Sequence, residues 1–271
     1  MLHAIKYHAT VAGFLIRMAI QRQIEYPLFL VSWLIMIPMQ YFAGAWMLNI
    51  LVERFQALNG WDFPQLAFVY GLGLLSHGVM VVLFIQSWNM DHMVVHGGFD
   101  RMLLRPMNVF FQFAFNYFNF IGLIDLIPGT VIFFYACSLV DFDWSVLNIV
   151  KLLLVIAGGA LIRSAIYTLL GCVAFWTKGS RSLISLTINM MERATLYPLS
   201  IYPYALQLLL TFVIPIGFIS FYPAADFLGQ EDGFTIPVGL AVWTPVVGLL
   251  TFFIAHKVFH IGLKKYESSG S

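Results

Sequence analysis

Charged residues are scarce in this chain of 271 residues: Asp, Glu, Lys and Arg together make up 10% of it, against 61% for hydrophobic residues. Ordinary soluble domains carry roughly 25% charged residues. The composition therefore excludes a soluble fold, because the surplus of apolar side chains must face lipid. The formal net charge of +1 indicates no particular charged partner, and no nucleic acid is expected to bind.

Cysteines and nucleotide-binding motifs are equally sparse. The two cysteines, Cys137 and Cys172, lie in apolar segments, where a free thiol behaves as a small hydrophobic side chain. Neither has a C-x-x-C partner, so no disulfide or metal site is predicted. The G-x-x-x-x-G-K-[ST] phosphate loop is also missing; residues 177–180 lack its first glycine and reverse the Gly-Lys order. Any use of ATP must therefore come from a partner.

Long uncharged runs are what the chain has in abundance. A helix needs about 20 apolar residues to cross a hydrocarbon core of about 30 Å. The sequence predicts an all-α membrane protein, with residues 1–271 forming a single transmembrane domain of six helices. The predicted spans are residues 26–50, 63–89, 109–140, 151–177, 195–223 and 236–258.

The distribution of basic residues predicts the orientation, because Lys and Arg accumulate on the cytoplasmic side of a membrane. With a cytoplasmic N-terminus, the outer segments hold only Arg54 and Lys151, and Arg163 lies within a span. Both termini are therefore predicted to be cytoplasmic. The inner basic residues are Lys6, Arg17, Arg22, Arg101, Arg105, Lys178, Arg181, Arg193, Lys257, Lys264 and Lys265.

Residues 1–25 have the pattern of an amphipathic helix lying in the inner interface. A simple flanking anchor is one alternative, and a helix that also contacts a cytoplasmic partner is another. The apolar face holds Ile5, Ala12, Ile16 and Ile20, and the polar face holds Lys6, Thr10, Arg17 and Gln21.

The predicted inner loop, residues 89–108, contains a glycine pair, a short amphipathic helix with projecting arginines, and a proline that resets the chain direction. Such a helix suits docking onto a soluble protein, because the planar guanidinium group pairs with carboxylates in a fixed geometry. The residues singled out here are Gly97, Gly98, Asp100, Arg101, Arg105 and Pro106.

Histidines in the same loop allow a metal-site interpretation. His92 and His96 have the i,i+4 spacing that can bind zinc, with Asp91 and Asp100 nearby. The pattern lacks the glutamate of H-E-x-x-H, and the glycine pair moves Asp100 off the same helical face. A solvated polar end of a span is therefore favoured. A membrane enzyme built on these residues has no nucleophile and base to support it.

Four strings occur in the order and spacing of a known family. They resemble ABC-2-type permeases, and in particular the small six-span permeases encoded beside a separate ATPase. The likeness extends over essentially the whole chain. The strings are Gly98-Phe99-Asp100-Arg101-x-Leu103-Leu104-Arg105-Pro106, Tyr197-Pro198 with Tyr202-Pro203, Ile214-Pro215 with Tyr222-Pro223, and Gly262-Leu263-Lys264-Lys265-Tyr266-Glu267-Ser268-Ser269-Gly270.

The resemblance implies a multi-pass subunit of an ATP-driven exporter in the plasma (inner) membrane of a bacterium. Two permeases, identical or homologous, would pair within the lipid, and each would engage a cytoplasmic ABC ATPase. ATP and Mg²⁺ would bind that ATPase, and this chain would hold no cofactor. Residues 89–108 would form the coupling loop, with Asp100, Arg101 and Arg105 as its contacts. The N-terminal helix would be the connecting helix, and residues 224–237 an extracellular element.

Two charges fall near the centres of predicted neighbouring spans, where each costs about 2.5–3.5 kcal/mol on insertion scales. An ion pair between Asp125 and Arg163 is therefore predicted, either as a structural clamp or as a substrate or gating element. Aromatic residues make up 17% of the chain, and some could line a cavity for a small hydrophobic or cationic compound. An ion-coupled secondary transporter using Asp125 is the alternative function, although no inverted repeat and no second membrane acid supports it.

Proline and glycine add two further expectations. Prolines in the fifth span predict a bent helix that could act as a hinge, because neighbouring groups can satisfy the freed carbonyls. Glycine pairs predict close helix packing. The hinge residues are Tyr197, Pro198, Pro203 and Pro215, and the glycines are Gly71, Gly73, Gly158 and Gly159.

Overall fold

The computed structural model describes residues 27–55, 57–115, 122–230 and 243–268, with Gly13, Arg17, Met18, Gln21, Glu25 and Asn119. All regular elements in this part of the chain are helical, as predicted. The amphipathic helix predicted in residues 1–25 lies almost wholly outside the described residues. The same holds for Glu231 and Asp232 in the predicted outer element.

The helices of the described residues are numbered in chain order. Short 3₁₀ turns occupy Ile85–Asn89, Leu199–Ile201 and Ile216–Phe218, and a π-helix occupies Leu209–Val213. The α-helices are α1 (Pro27–Phe55), α2 (Phe63–Phe84), α3 (Met90–Val95), α4 (Asp100–Leu103), α5 (Val109–Phe115), α6 (Gly122–Leu139), α7 (Val146–Cys172), α8 (Ala174–Thr177), α9 (Arg181–Leu196), α10 (Tyr204–Leu208), α11 (Phe221–Leu228) and α12 (Thr244–Leu263).

Five helical segments of the described chain are long and apolar enough to cross a membrane. They include the predicted first, second and fourth spans and most of the sixth. The predicted fifth span, residues 195–223, has no such helix among the described residues. The five segments are Pro27–Phe55, Phe63–Val95, Gly122–Leu139, Val146–Thr177 and Thr244–Leu263.

The range predicted as the fifth span, residues 195–223, is not one bent helix, and that part of the prediction was wrong; that the range crosses the membrane stays a prediction. Helix α9 ends at Leu196, and Tyr197 has extended backbone (φ −113°, ψ 145°) because the residue before a proline is disfavoured in helical conformation. Further breaks occur at Pro203 and Pro215. The predicted hinge prolines therefore separate short elements and do not bend a continuous helix.

The predicted third span, residues 109–140, is also divided. Helix α5 ends at Phe115, and the membrane-length helix α6 begins only at Gly122. At this junction the Asn119 backbone N–H donates to the Val82 carbonyl (3.2 Å) on α2. A Cβ at Gly122 would lie 3.0 Å from the Val82 nitrogen. Helix α6 is therefore in close contact with α2 from its first residue.

Helix α2 is the centre of the bundle and packs against α1, α6, α7 and α9. Glycine permits its closest contact with α6, because a Cβ at Gly71 would lie 2.7 Å from the Cα of Phe133. Helices α7 and α12 meet in the same way at Gly158 and Gly248, where a Cβ on Gly248 would lie 2.6 Å from the Gly158 carbonyl oxygen. The prediction of close packing at glycines is confirmed at these positions.

One end of the bundle, here called the loop end, contains residues 96–108, residues 178–180 and the tail 264–268. The tail contacts the loop through Tyr266 and Asp100, and the ion pair Lys178–Glu267 joins two of these segments (3.6 Å). These segments were predicted to share one side of the membrane, and the contacts agree. That this side is cytoplasmic stays a prediction.

Candidate functional site

Two adjoining cavities of about 380 and 530 Å³ lie beside α2, and both are lined by residues of α1, α2 and α9. They share Gln40, Tyr41, His77 and Glu192. We refer to both cavities together as the polar cleft, defined by Tyr41, His77, Asp125, Arg163 and Glu192. It concentrates ionisable side chains in a bundle that is otherwise strongly apolar.

Asp125 lies in the first turn of α6 and is only 7% exposed. Its carboxylate accepts a hydrogen bond of 2.7 Å from the hydroxyl of Tyr41 on α1. The Tyr41 ring contacts the imidazole of His77 edge to face, with ring centroids 6.4 Å apart. A buried carboxylate needs such a donor, because burying a charge without a hydrogen bond is costly.

Arg163, in the middle of α7, is 2% exposed and interacts with the side chain of Tyr167, one turn further along the same helix. Its guanidinium group donates to the Gly73 carbonyl at 3.4 Å and approaches the Met191 sulfur at 3.9 Å. Within the described residues its Nε atom has no hydrogen-bond partner. Glu192 interacts with it electrostatically but forms no ion pair within 4.0 Å in this part of the chain. Arg163 is thus a buried cation that has no carboxylate within ion-pair distance among the described residues.

The predicted direct pair between Asp125 and Arg163 is not formed among the described ion pairs. The reason is the packing order of the helices: α2 contacts both α6 and α7 and lies between them. Tyr41 supplies the hydrogen bond to Asp125, and Gly73 and Met191 contact Arg163. The two charges instead line different parts of the polar cleft, one in each cavity.

The sequence predictions missed Tyr41, His77 and Glu192. Tyr41 and His77 carry no formal charge at pH 7, and Glu192 lies just outside a predicted span, beside Arg193. One signal was available for His77, since an imidazole in the middle of an uncharged run has to find a partner when it is buried.

The larger cavity combines aromatic rings with acids. Phe29, Trp33 and Trp88 line it together with Asp125 and Glu192. The indole N–H of Trp88 has no hydrogen-bond partner among the described residues. Aromatic faces and carboxylates both attract organic cations, and desolvation strengthens a cation–π contact to about 2 kcal/mol. The lining of this cavity therefore combines the two kinds of group that attract organic cations.

Within the predicted coupling loop, residues 89–108, helix α3 ends just before the glycine pair. Gly97 has a left-handed backbone (φ +69°), which glycine adopts without strain. The Gly98 N–H then donates to the Met93 carbonyl at 2.7 Å, closing the helix end. A Cβ on Gly98 would lie 3.1 Å from the Cα of Met93. Both glycines are therefore required by the local geometry.

The short helix α4 has one buried face and one exposed face. Phe99, which precedes it, is 0% exposed and Met102 is 5% exposed. Arg101 and Arg105 are exposed, as is Pro106, and Leu104 is 86% exposed. The projection of the two arginines agrees with the amphipathic pattern of the sequence. An exposed leucine between them makes this a surface with both charge and apolar area.

Asp100 is placed differently from the expectation that it contacts a partner. Its two carboxylate oxygens accept hydrogen bonds from the Tyr266 hydroxyl (2.9 Å) and the Ser268 hydroxyl (2.7 Å) of the tail. Burial and this carboxylate together raise the pKa of Tyr266 to about 12. The neighbouring His92 and His96 stack with centroids 4.0 Å apart. No group of three potential metal ligands converges among the described residues.

Membrane-length helices around a polar cleft, with an exposed arginine-bearing loop at one end, define a multi-pass α-helical membrane protein of the transport class. A family model described as ABC-2 family transporter protein matches residues 16–270. The chain belongs to that family, which confirms the resemblance seen in the loop, proline and tail strings. No curated protein and no solved structure gave a significant match. The family makes it a membrane subunit without catalysis of its own and implies association with an ABC ATPase.

Proposed function

We propose that this chain is the permease subunit of an ABC-2-type exporter that moves a small hydrophobic or cationic compound across the plasma membrane of a bacterium. A separate ATPase on the cytoplasmic side binds ATP and Mg²⁺ and drives transport. A second permease, the same or a homologous chain, completes the membrane part.

The observation that carries this proposal is the polar cleft. Membrane interiors tolerate ionisable side chains mainly where they face a water-filled or substrate-filled space. Asp125 accepts a hydrogen bond from Tyr41, and its carboxylate lines the larger cavity. Trp33 and Trp88 line the same cavity. A lipophilic cation gains both charge compensation and ring contacts there.

The exposed surface of α4 supports the ATPase part of the proposal. Arg101 and Arg105 project from the loop end, and Leu104 lies between them with most of its side chain in contact with solvent. An acidic groove with an apolar pocket on the partner would match this surface, because arginine forks pair with carboxylates and the leucine loses apolar area to water.

The exposure of α1 supports pairing of two permeases. Only 11% of the most apolar stretch of α1 is buried within the single chain, although α1 supplies Gln40 and Tyr41 to the cleft wall. A second copy placed against α1 would cover apolar side chains that the single chain exposes, such as Met39 (72%) and Trp46 (70%).

The test is ATP-driven uptake of tetraphenylphosphonium into inside-out vesicles that contain the tagged chain and the ATPase that co-purifies with it. We expect uptake to require ATP. Asp125→Asn should lower it about tenfold, the equivalent of 1.4 kcal/mol of lost binding to the cation. Glu53→Gln, which neutralises an exposed acid near the end of α1, is the matched control and should have no effect.

Two outcomes would contradict the proposal. Failure of any ATPase to co-purify in stoichiometric amount would remove its energy source. Uptake that continues without ATP and follows an imposed proton gradient would instead favour the secondary transporter that uses Asp125.

A further inference from the structure

The tail after α12 folds back onto the predicted coupling loop. Helix α12 ends at Leu263, and two backbone hydrogen bonds then turn the chain, from Lys265 N–H to the Gly262 carbonyl (2.8 Å) and from Tyr266 N–H to the Leu263 carbonyl (3.2 Å). This turn brings Tyr266 within reach of a loop more than 160 residues earlier in the chain, since the Tyr266–Asp100 separation is 166.

The tail reaches Asp100 at both of its oxygens. Tyr266 donates to one and Ser268 to the other, at 2.9 and 2.7 Å. Hydrogen bonds to a carboxylate are about twice as strong as those between neutral groups. The nearby pair Lys178–Glu267 contributes little, because its side chains are 75% and 79% exposed. The hydroxyl–carboxylate contacts are therefore the specific part of the attachment.

An aromatic cluster fixes the base of α4 to the same place. The ring of Phe99 contacts Tyr266 (centroids 5.6 Å apart), Phe175 (5.5 Å) and Phe259 (5.7 Å). These rings belong to the tail, to α8 and to α12. Packing at Phe99 and hydrogen bonding at Asp100 thus hold two successive residues of the loop against the end of α12.

Without this attachment, α4 would be hinged at both ends. It is a helix of four residues, preceded by the left-handed Gly97 and followed by Pro106. A force applied at Arg101 or Arg105 would then be absorbed by rotation at these joints. With the attachment, the same displacement has to move the end of α12.

We propose that residues 264–268, the tail strap, position α4 for energy coupling, with Asp100, Tyr266 and Ser268 as positioning residues and not as contacts to the ATPase. This inference rests on the proposed function, because it presumes that a partner pushes on α4. Arg101, Leu104 and Arg105 make the contact, and the strap transmits the displacement to α12 and from there to the membrane helices.

The test uses the complex of the full chain with its ATPase in lipid nanodiscs and a cysteine on the cleft wall. Met47 lines the smaller cavity and is 48% exposed, whereas both native cysteines are buried, which makes Met47→Cys a selective site for a maleimide. The readout is the change in labelling rate on adding ATP with vanadate. Retention of the ATPase, its hydrolysis rate and thermal stability are measured in parallel.

The strap variant is Tyr266→Phe with Ser268→Ala, which keeps the ring packing and removes both hydroxyls. We expect it to retain the ATPase and to hydrolyse ATP at nearly the normal rate. Its nucleotide-driven change in labelling should fall about two- to thirtyfold, the range found for residues that carry coupling. The control pair, Tyr135→Phe with Ser182→Ala, makes the same chemical changes at exposed positions and should behave as the unmodified chain.

Three further variants make the outcome decisive. Ser268→Thr, made with Tyr266 intact, keeps a hydroxyl at position 268 and should retain most of the nucleotide-driven change in labelling. A purely steric role of Ser268 would not predict this. Arg105→Ala should reduce ATPase retention, and Asp100→Asn should not. Equal loss of retention in the last two would overturn the positioning role, as would an unchanged labelling response in the strap variant. Absence of a co-purifying ATPase from the unmodified chain would overturn the proposed function itself, and the strap with it.

Discussion

Replacing Tyr41 with phenylalanine would test whether the polar cleft depends on the hydrogen bond to Asp125. The substitution keeps the ring, which is 8% exposed, and removes only the hydroxyl that lies 2.7 Å from the carboxylate. In water-soluble proteins a hydrogen bond to a charged group contributes about 1.5–3 kcal/mol. Pairs within membrane bundles average about 0.6 and reach about 1.7 kcal/mol. For a buried carboxylate we expect the upper end, about 1.5 kcal/mol of unfolding free energy.

The assay is a double-mutant cycle in mixed detergent micelles, combining Tyr41→Phe with Asp125→Asn. An amide needs the hydroxyl less than a carboxylate does, so the second change should cost less in the background of the first. We expect a coupling energy of about 1 kcal/mol. Tyr70→Phe is the matched control, because the Tyr70 hydroxyl makes only a long contact of 3.4 Å to the Tyr41 carbonyl. Additivity of the two changes within about 0.3 kcal/mol would refute the reasoning.

Two further predictions concern glycines. Gly158→Ala should lower the unfolding free energy by about 1–3 kcal/mol, since a Cβ there would lie 2.8 Å from a backbone oxygen of α12. The control is Gly179→Ala, whose Cβ would meet nothing within 4 Å. It should leave the unfolding free energy in mixed detergent micelles unchanged. Gly97→Ala should cost about 1–2 kcal/mol through the left-handed backbone at φ +69°, and thermal melting of the purified chain would contradict this if its midpoint did not fall.

The spans that could be predicted from sequence are those whose length and lack of charge follow from the need to cross lipid as a helix. An uncharged run of about 20 residues has few alternatives to a spanning helix, and α1 and α7 lie close to where the runs predicted them. Hydropathy did not predict the helix breaks in residues 195–223, because it reports how apolar the side chains are and not which backbone conformation they adopt. The prolines at 198, 203 and 215 carried the missing information, since each one removes a backbone donor.

The site was predicted only in part, for a related reason. Burial of Asp125 and Arg163 followed from their positions in apolar runs, but their partners depended on the packing order of the helices. The link between Asp100 and Tyr266 spans 166 positions and has no local signal at all. Sequence patterns predict the helix in which a residue lies and the face that it occupies. They do not predict that Tyr41 contacts Asp125, or that the tail contacts Asp100, because these residues are far apart in the chain.

The proline-broken segment after α9 depends on its protein neighbours in a way that an unbroken span does not. Helix α12 begins beside Gly158 of α7, and the later part of the broken segment also contacts α7: a Cβ at Gly159 would lie 3.1 Å from the Ile219 carbonyl oxygen, and Lys151 forms an ion pair with Asp226. Short helices leave carbonyl and N–H groups that hydrocarbon cannot satisfy. The buried part of the segment, residues 215–225, lies against α2 and α7, where protein and not hydrocarbon surrounds its broken backbone.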